Sequence, residues 1–183
     1  MILHCANEGN LREYLEKNFS NLHWIKKLEI ARDTVHGLMF LHEKNIAHRD
    51  LHSMNILIDD GQPKIADFGL SKQINEALMT SNSIVHGMPA YIDPQCFLDA
   101  TGKYKRNMKS DIYSFGVILW EISSGKPPFE NNKSRENIAC KIASGVREIP
   151  IEGTPLKYID LYKKCWDTHP QQRPKAESVY RTL

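Results

Sequence analysis

The run SDIYSFGVILWEI, Ser110 to Ile122, puts apolar side chains on nearly every face of the helix it would form. Such a helix has no side to offer to water, so other elements must pack all around it. Spanning a bilayer takes roughly 20 consecutive apolar residues. The most apolar part, Ile112 to Ile122, is too short and too interrupted for that. The segment therefore predicts a central buried helix over 110–124, capped at Ser110 and ended by Gly125, Pro127 and Pro128.

The rest of the chain supplies what would surround it. Asn10 is placed to cap a short helix, LREYLEK, after a turn at Asn7-Glu8-Gly9, and MILHCA before it looks like the end of a strand. Trp24, Leu28, Ala31, Val35 and Leu38 recur at spacings of four, three, four and three, an amphipathic stripe predicting a long helix to about Asn45. The runs NILID and PKIAD flank Asp60-Gly61, a strong hairpin signal. Ser71 to Gly87 is polar, rich in helix breakers and too long for an ordinary connection, which marks it as functional or mobile. Further helices are predicted at Arg135–Ala143, Leu156–Trp166 and Pro174–Leu183, the last with proline at its first position. The fold class is mainly α with one small β-hairpin, and 183 residues make one domain the default.

Composition narrows the function by exclusion. A net charge of +2 gives no basis for a nucleic-acid or membrane-surface partner. The four cysteines (Cys5, Cys96, Cys140 and Cys165) are scattered, with no CxxC pair, which fits a reduced intracellular protein. The opening MILHCANEGN is too short an apolar run for a signal peptide. The expectation is a cytoplasmic protein.

The hairpin brings chemistry together at its open end. Asn55 and Asp67 each lie six residues from Gly61, so they end up opposite or diagonal to each other, to within one residue of register. Asp50 lies just before, on the loop IAHRDLHSMNILI. An amide oxygen and a carboxylate are hard ligands that suit Mg²⁺. Polar residues at a hairpin base are, taken alone, most often only solvated.

The full strings say more. HRDLHSMN followed by DFG (Asp67-Phe68-Gly69) resembles the catalytic loop and metal-binding motif of protein kinases, in order and spacing. GMPAYIDPQ resembles that family's segment ending in Ala-Pro-Glu, and SDIYSFGVILWEISSGKPPF its central helix. CWDTHPQQRP resembles its closing motif with arginine, here Arg173, and HCANEGNLREYL its hinge and following helix. The flavour is that of the tyrosine-kinase and tyrosine-kinase-like branch. The resemblance covers the whole chain: hinge at 1–10, catalytic loop at 46–58, activation segment at 67–95 and central helix at 110–124.

The resemblance implies a set of roles. Asp50 accepts or orients the substrate hydroxyl proton, and Asn55 and Asp67 hold magnesium on the phosphates of ATP. Arg49 holds a phosphorylated activation loop, for which Ser71, Thr80, Ser81 and Ser83 are candidate acceptors. His48 and Phe68 join an internal stack, and Asp111 caps the catalytic-loop backbone. Leu3 is the gatekeeper; the backbone of His4 and Ala6 binds adenine, Leu57 forms the floor beneath it, and Asn10 lies near the ribose. The partner is a protein substrate.

Several departures bear on rate and specificity. No G-x-G-x-x-G occurs among the ten glycines, and IACK (Ile138 to Lys141) follows the metal motif where the family's lysine motif precedes it. The expectation is a C-terminal lobe with the N-terminal lobe missing, binding Mg²⁺-ATP weakly and exposing an apolar face on which a partner could dock. His52 and Met54 stand where lysine or arginine would meet the γ-phosphate, and His52 could substitute when protonated. Met88 replaces a common threonine. Gln95 replaces the glutamate expected to pair with Arg173, which leaves a buried arginine looking for a carboxylate. Two functions remain open: a protein kinase acting on serine or threonine (possibly tyrosine), and a catalytically dead kinase-lobe binding module.

Overall fold

The computed structural model describes residues 6–69, 72–73, 87–132 and 134–183. The apolar run forms the helix Met108–Ser124, with every residue from Ser110 onward buried. Its cap is Asn107, three residues earlier than expected: Asn107 Oδ1 accepts from the Lys109 N–H at 2.8 Å. Ser110 sits inside the first turn, its Oγ accepting from the Asn107 N–H at 3.1 Å, the reciprocal half of a capping box. Gly125 ends the helix in the left-handed region at φ 68°, which glycine adopts without strain.

We number the elements in chain order. Helix α1 is Leu11–Asn18, α2 is Trp24–Glu43, α3 is Gln95–Leu98, α4 is the central Met108–Ser124, α5 is Arg135–Ala143, α6 is Leu156–Cys165 and α7 is Ala176–Thr182. The strands are β1 Ile46–Ala47, β2 Ile56–Asp59, β3 Gln62–Ile65 and β4 Lys72–Gln73. Helices α2 and α6 pack on α4, and α7 packs on α2. Helix α7 starts later than predicted: Pro174 lies before it and Lys175 takes the cap position. Helix α3 carried no periodic signal in its four residues.

Helix α2 buries Ile30, Ala31, Thr34, Val35 and Leu38, with Leu41 behind them. Of the predicted stripe, Ala31, Val35 and Leu38 are buried, and Trp24 and Leu28 are half-buried against the same core. Lys27 is buried on the same face because its ammonium sits 3.5 Å from the centre of the Phe19 ring, where the aromatic face favours a cation.

The predicted hairpin is β2–β3, with Ile56 opposite Ile65 and Asp59 opposite Gln62. Asp60 and Gly61 both have positive φ (50° and 72°), the pairing that matches the right-handed twist of the strands. Asn10, the cap of α1, bridges to Leu57, and the Ile58 N–H donates to Gly9 O at 2.8 Å. A second two-stranded pairing, β1 with β4, joins Ile46 to Gln73 and Ala47 to Lys72. Two residues per strand leave no alternation to recognise, so the sequence did not announce it.

Candidate active site

The site is built where the first turn of α4 meets the loop between β1 and β2. Asp111, 1 % exposed, accepts the backbone N–H of His48 on Oδ2 at 2.9 Å and that of Arg49 on Oδ1 at 2.8 Å. The His42 ring at the end of α2 reaches the same Oδ2 at 2.9 Å. One buried carboxylate therefore pins the loop to two helices. Arg49 needs the pin, because its φ is +70°, a conformation that side chains resist. Arg106 adds a hydrogen bond from Nη1 to Arg49 O at 2.7 Å.

The loop then presents its polar groups. The Asp50 side chain is 21 % exposed, and the Asp50 carbonyl accepts Asn55 Nδ2 at 2.9 Å. A single 3₁₀ turn, Ser53–Asn55, folds Asn55 back to make that contact. The Ala66 N–H donates to Asn55 O at 2.8 Å, which leaves Asp67 one residue past the position opposite Asn55. Asp67 is exposed, in the left-handed region at φ 60°, and its Oδ1 accepts the Gly69 N–H at 3.2 Å. The structure thus joins Asp50 to Asn55 directly and sets Asp67 beside them through the hairpin register. His48 Nε2 is 3.0 Å from Ala66 O, and its ring lies 5.4 Å from that of Phe68, which is still 48 % exposed.

The remaining candidates fall at varied depths. Leu57 and Ala6 are half-buried, and the Asn10 Oδ1 is occupied by the Glu13 N–H at 3.1 Å as a helix cap. His4 and Leu3 lie outside the described residues, as do Ser71, Thr80, Ser81 and Ser83. Gly87 lies against the site: a Cβ there would come within 2.7 Å of Asp50 Oδ1, and its carbonyl accepts Arg135 Nη2 at 2.8 Å.

His52 sharpens an expectation. Its side chain is only 11 % exposed, with Nε2 3.8 Å from Asp50 Oδ2. Burial depresses its pKa, Asp50 pulls it back up in part, and the nearby charges of Arg12 and His48 push it down again. The net shift is downward, and Nδ1 is buried with no hydrogen-bond partner among the described residues. Its surroundings therefore disfavour the imidazolium, the form that would replace the absent cation.

Arg173 corrects another. The guanidinium is fully buried and does have its carboxylate, which is Asp93: Nη1 reaches Oδ2 at 2.7 Å and Nη2 reaches Oδ1 at 2.8 Å. Nε donates to Asp167 O at 2.8 Å, Nη1 also to Lys109 O at 2.9 Å, and Nη2 also to Thr168 O at 3.2 Å. Gln95 instead donates its amide to Thr168 O at 2.9 Å. Burial works against the Asp93 carboxylate. The hydrogen bonds and charge of Arg173, with help from the Gln95 N–H and the Tyr104 hydroxyl, still hold its carboxyl below the usual range. Within Tyr-Ile-Asp-Pro-Gln the acid that pairs with Arg173 stands two residues before Gln95.

A buried cluster beneath the loop gave no sign of itself in the sequence motifs. Glu121 of α4 accepts Arg12 Nε at 3.0 Å and Ser53 Oγ at 2.9 Å on Oε1, and the Tyr91 hydroxyl on Oε2. Arg12 Nη2 donates to that hydroxyl at 2.7 Å. Burial raises the Glu121 pKa, and Arg12, Tyr91 and Ser53 offset part of the rise. The signal that could have found it is a lone acid inside an apolar helix, which must have partners.

The donor set fits magnesium. Asn55 Nδ2 is committed to Asp50 O, so the amide presents its oxygen, and the exposed Asp67 carboxylate adds a second hard donor. A helical body with a small antiparallel hairpin, and a loop stapled to the central helix, is consistent with a protein-kinase domain. The family model described as protein tyrosine and serine/threonine kinase matches residues 1–183, so the chain belongs to that family. It is 34 % identical over 190 residues to a dual specificity protein kinase, shkC, of Dictyostelium discoideum, covering 100 % of this chain and 36 % of the relative. It is 43 % identical over 193 residues to calcium/calmodulin-regulated receptor-like kinase 2 of Arabidopsis thaliana, covering 98 % and 43 %. A probable LRR receptor-like serine/threonine-protein kinase of the same plant is 33 % identical over 204 residues, covering 100 % and 23 %. The chain therefore spans less than half the length of each of these relatives. Among the described residues no helix is long and apolar enough to cross a membrane.

Proposed function

We propose that this chain carries the catalytic loop of a protein kinase that transfers the γ-phosphate of ATP to a serine or threonine hydroxyl of a protein. The observation that supports it most is the pairing of Asp50 with Asn55 on a loop held by Asp111. The relatives, described as serine/threonine or dual specificity kinases, favour that hydroxyl class.

In this reading the substrate hydroxyl oxygen attacks the γ-phosphorus, the bond to the bridging oxygen breaks, and ADP leaves. Asp50 orients the hydroxyl and takes its proton. Asn55 and Asp67 would hold magnesium, which would supply positive charge beside the phosphates. The Ala6 and His4 backbone would meet adenine, Leu57 would lie beneath it, and Asn10 near the ribose. Arg49 would receive a phosphate from the activation segment through charge-assisted hydrogen bonds. Gly87, tight against Asp50, leaves no room for a side chain where the substrate hydroxyl would enter. Burial disfavours a cationic His52, so that position offers the γ-phosphate little positive charge. The reaction takes place where ATP and protein substrates are, in the cytoplasm.

The test is phosphate incorporation from labelled ATP and Mg²⁺ into a serine- and threonine-bearing peptide, comparing the full-length protein with its Asp50→Asn variant. The expected result is a loss of about 100-fold or more in the variant. Equal incorporation by both proteins, with partner binding unchanged, would replace the kinase reading by that of a binding module.

A further inference from the structure

At the tip of the β2–β3 hairpin, Asp60 and Gly61 lie beyond the last paired residues, Asp59 and Gln62. The backbone N–H groups of both are taken by side chains of the segment before α1. Asn7 Oδ1 accepts the Asp60 N–H at 3.1 Å, and Glu8 Oε2 accepts the Gly61 N–H at 2.5 Å. Asn7 also gives a bond back, its Nδ2 donating to Asp60 Oδ1 at 2.7 Å. Water would serve the N–H groups of an exposed turn equally well, so satisfying them does not call for these residues. What the side chains add is a tie between segments 53 residues apart.

The tie falls where the backbone gains from one. Gly9 has φ +74°, a conformation that glycine enters and leaves freely. On its far side, Asn10 caps α1 and bridges to Leu57. Around it, the Glu8 N–H donates to Ile58 O at 3.2 Å and Gly9 O accepts the Ile58 N–H at 2.8 Å. One residue earlier, Asn7 reaches the hairpin through its side chain, next to Ala6.

We propose that Asn7 and Asp60 form a positioning clasp for the nucleotide, their reciprocal pair setting the distance between the backbone at Ala6 and the side chain of Leu57, and so the slot that adenine would enter. The ligand in this inference rests on the kinase reading. The clasp itself is tested without it.

The experiment compares the full-length protein with two variants. Asn7→Ala deletes both bonds of the pair. The exchanged pair Asn7→Asp/Asp60→Asn keeps both, with the side-chain donor and acceptor reversed. Residues 7 and 60 are exposed, so neither change opens the core. Amide hydrogen exchange at residue 60, followed by NMR without nucleotide, is expected to speed up in Asn7→Ala and to match the wild type in the exchanged pair. Mg²⁺-ATP affinity, read by calorimetry, is expected to fall about 5-fold in Asn7→Ala, the scale of one net hydrogen bond, and to recover in the exchanged pair. A pair that only braces the fold would lower the denaturant midpoint and leave the affinity of the folded protein alone. That result, or an exchanged pair as weak as Asn7→Ala, would overturn the positioning role. Unchanged exchange at residue 60 in Asn7→Ala would overturn the clasp. A wild type that protects this amide yet takes up no Mg²⁺-ATP would overturn the kinase reading, and the nucleotide role with it.

Discussion

At the scale of single residues, burial decides the chemistry more than residue type does. His52 occupies a position where a cation would serve the γ-phosphate, yet its surroundings favour the neutral ring. An NMR pH titration of the folded protein should find His52 titrating below the ordinary value of about 6.5. Asp50→Asn should lower it further, because Asp50 is the group that pulls it up. A midpoint at or above the ordinary value would refute this. Stability responds with the same sign: the unfolded chain takes the proton first, so stability present above the unfolded pKa falls as the pH drops below it. Asp50, Asn55 and Asp67 were legible as candidates from hairpin spacing and the motif strings. The burial of His52 was not, since nothing in HRDLHSMN says that Tyr91 will lie with its ring 6.0 Å away.

At the scale of elements, the close approach of α4 to α6 sets a strict limit. Gly116 faces the end of α6, where an added Cβ would lie 2.8 Å from Cys165 Cβ, 2.9 Å from Trp166 N and 3.1 Å from Tyr162 O. Two of those atoms are backbone and cannot step aside. Gly116→Ala should therefore destabilise by about 1–3 kcal/mol through overpacking, although alanine favours a helix interior by about 1 kcal/mol. Denaturant midpoints of the two proteins measure this, and an unchanged or higher midpoint would show that α6 can retreat. Helix positions came through well from periodicity: Arg135–Ala143 falls where predicted, and α6 ends one residue short of Trp166. Their caps came through less well. Asn107 and Ser110 are both good capping residues three apart, and only the chain direction into α4 selects Asn107 as the cap.

At the scale of the whole molecule, the Asp93–Arg173 pair ties the segment before α3 to the one before α7, across 80 residues. Asp93→Ala would leave a buried guanidinium without its carboxylate and should cost about 3–5 kcal/mol. Chemical denaturation of the variant checks it, and a loss below about 1 kcal/mol would mean that Gln95 can take over the arginine. The pair also predicts an acid limit. The folded Asp93 pKa lies below its unfolded value, so its contribution is complete above that value and is lost as the pH falls through the folded one. Features set by local order were readable in the amino-acid string: the buried helix, the stripe of α2, the hairpin register and the family motifs, because periodicity and turn chemistry act over a few residues. Folding alone chose the partners of buried charge. Asp111 reaches His48 and Arg49 more than 60 residues back, Asp93 takes Arg173 from Gln95, and Glu121 gathers Arg12, Ser53 and Tyr91. A buried charge takes the nearest complementary group in space, and that nearness exists only once the helices have packed.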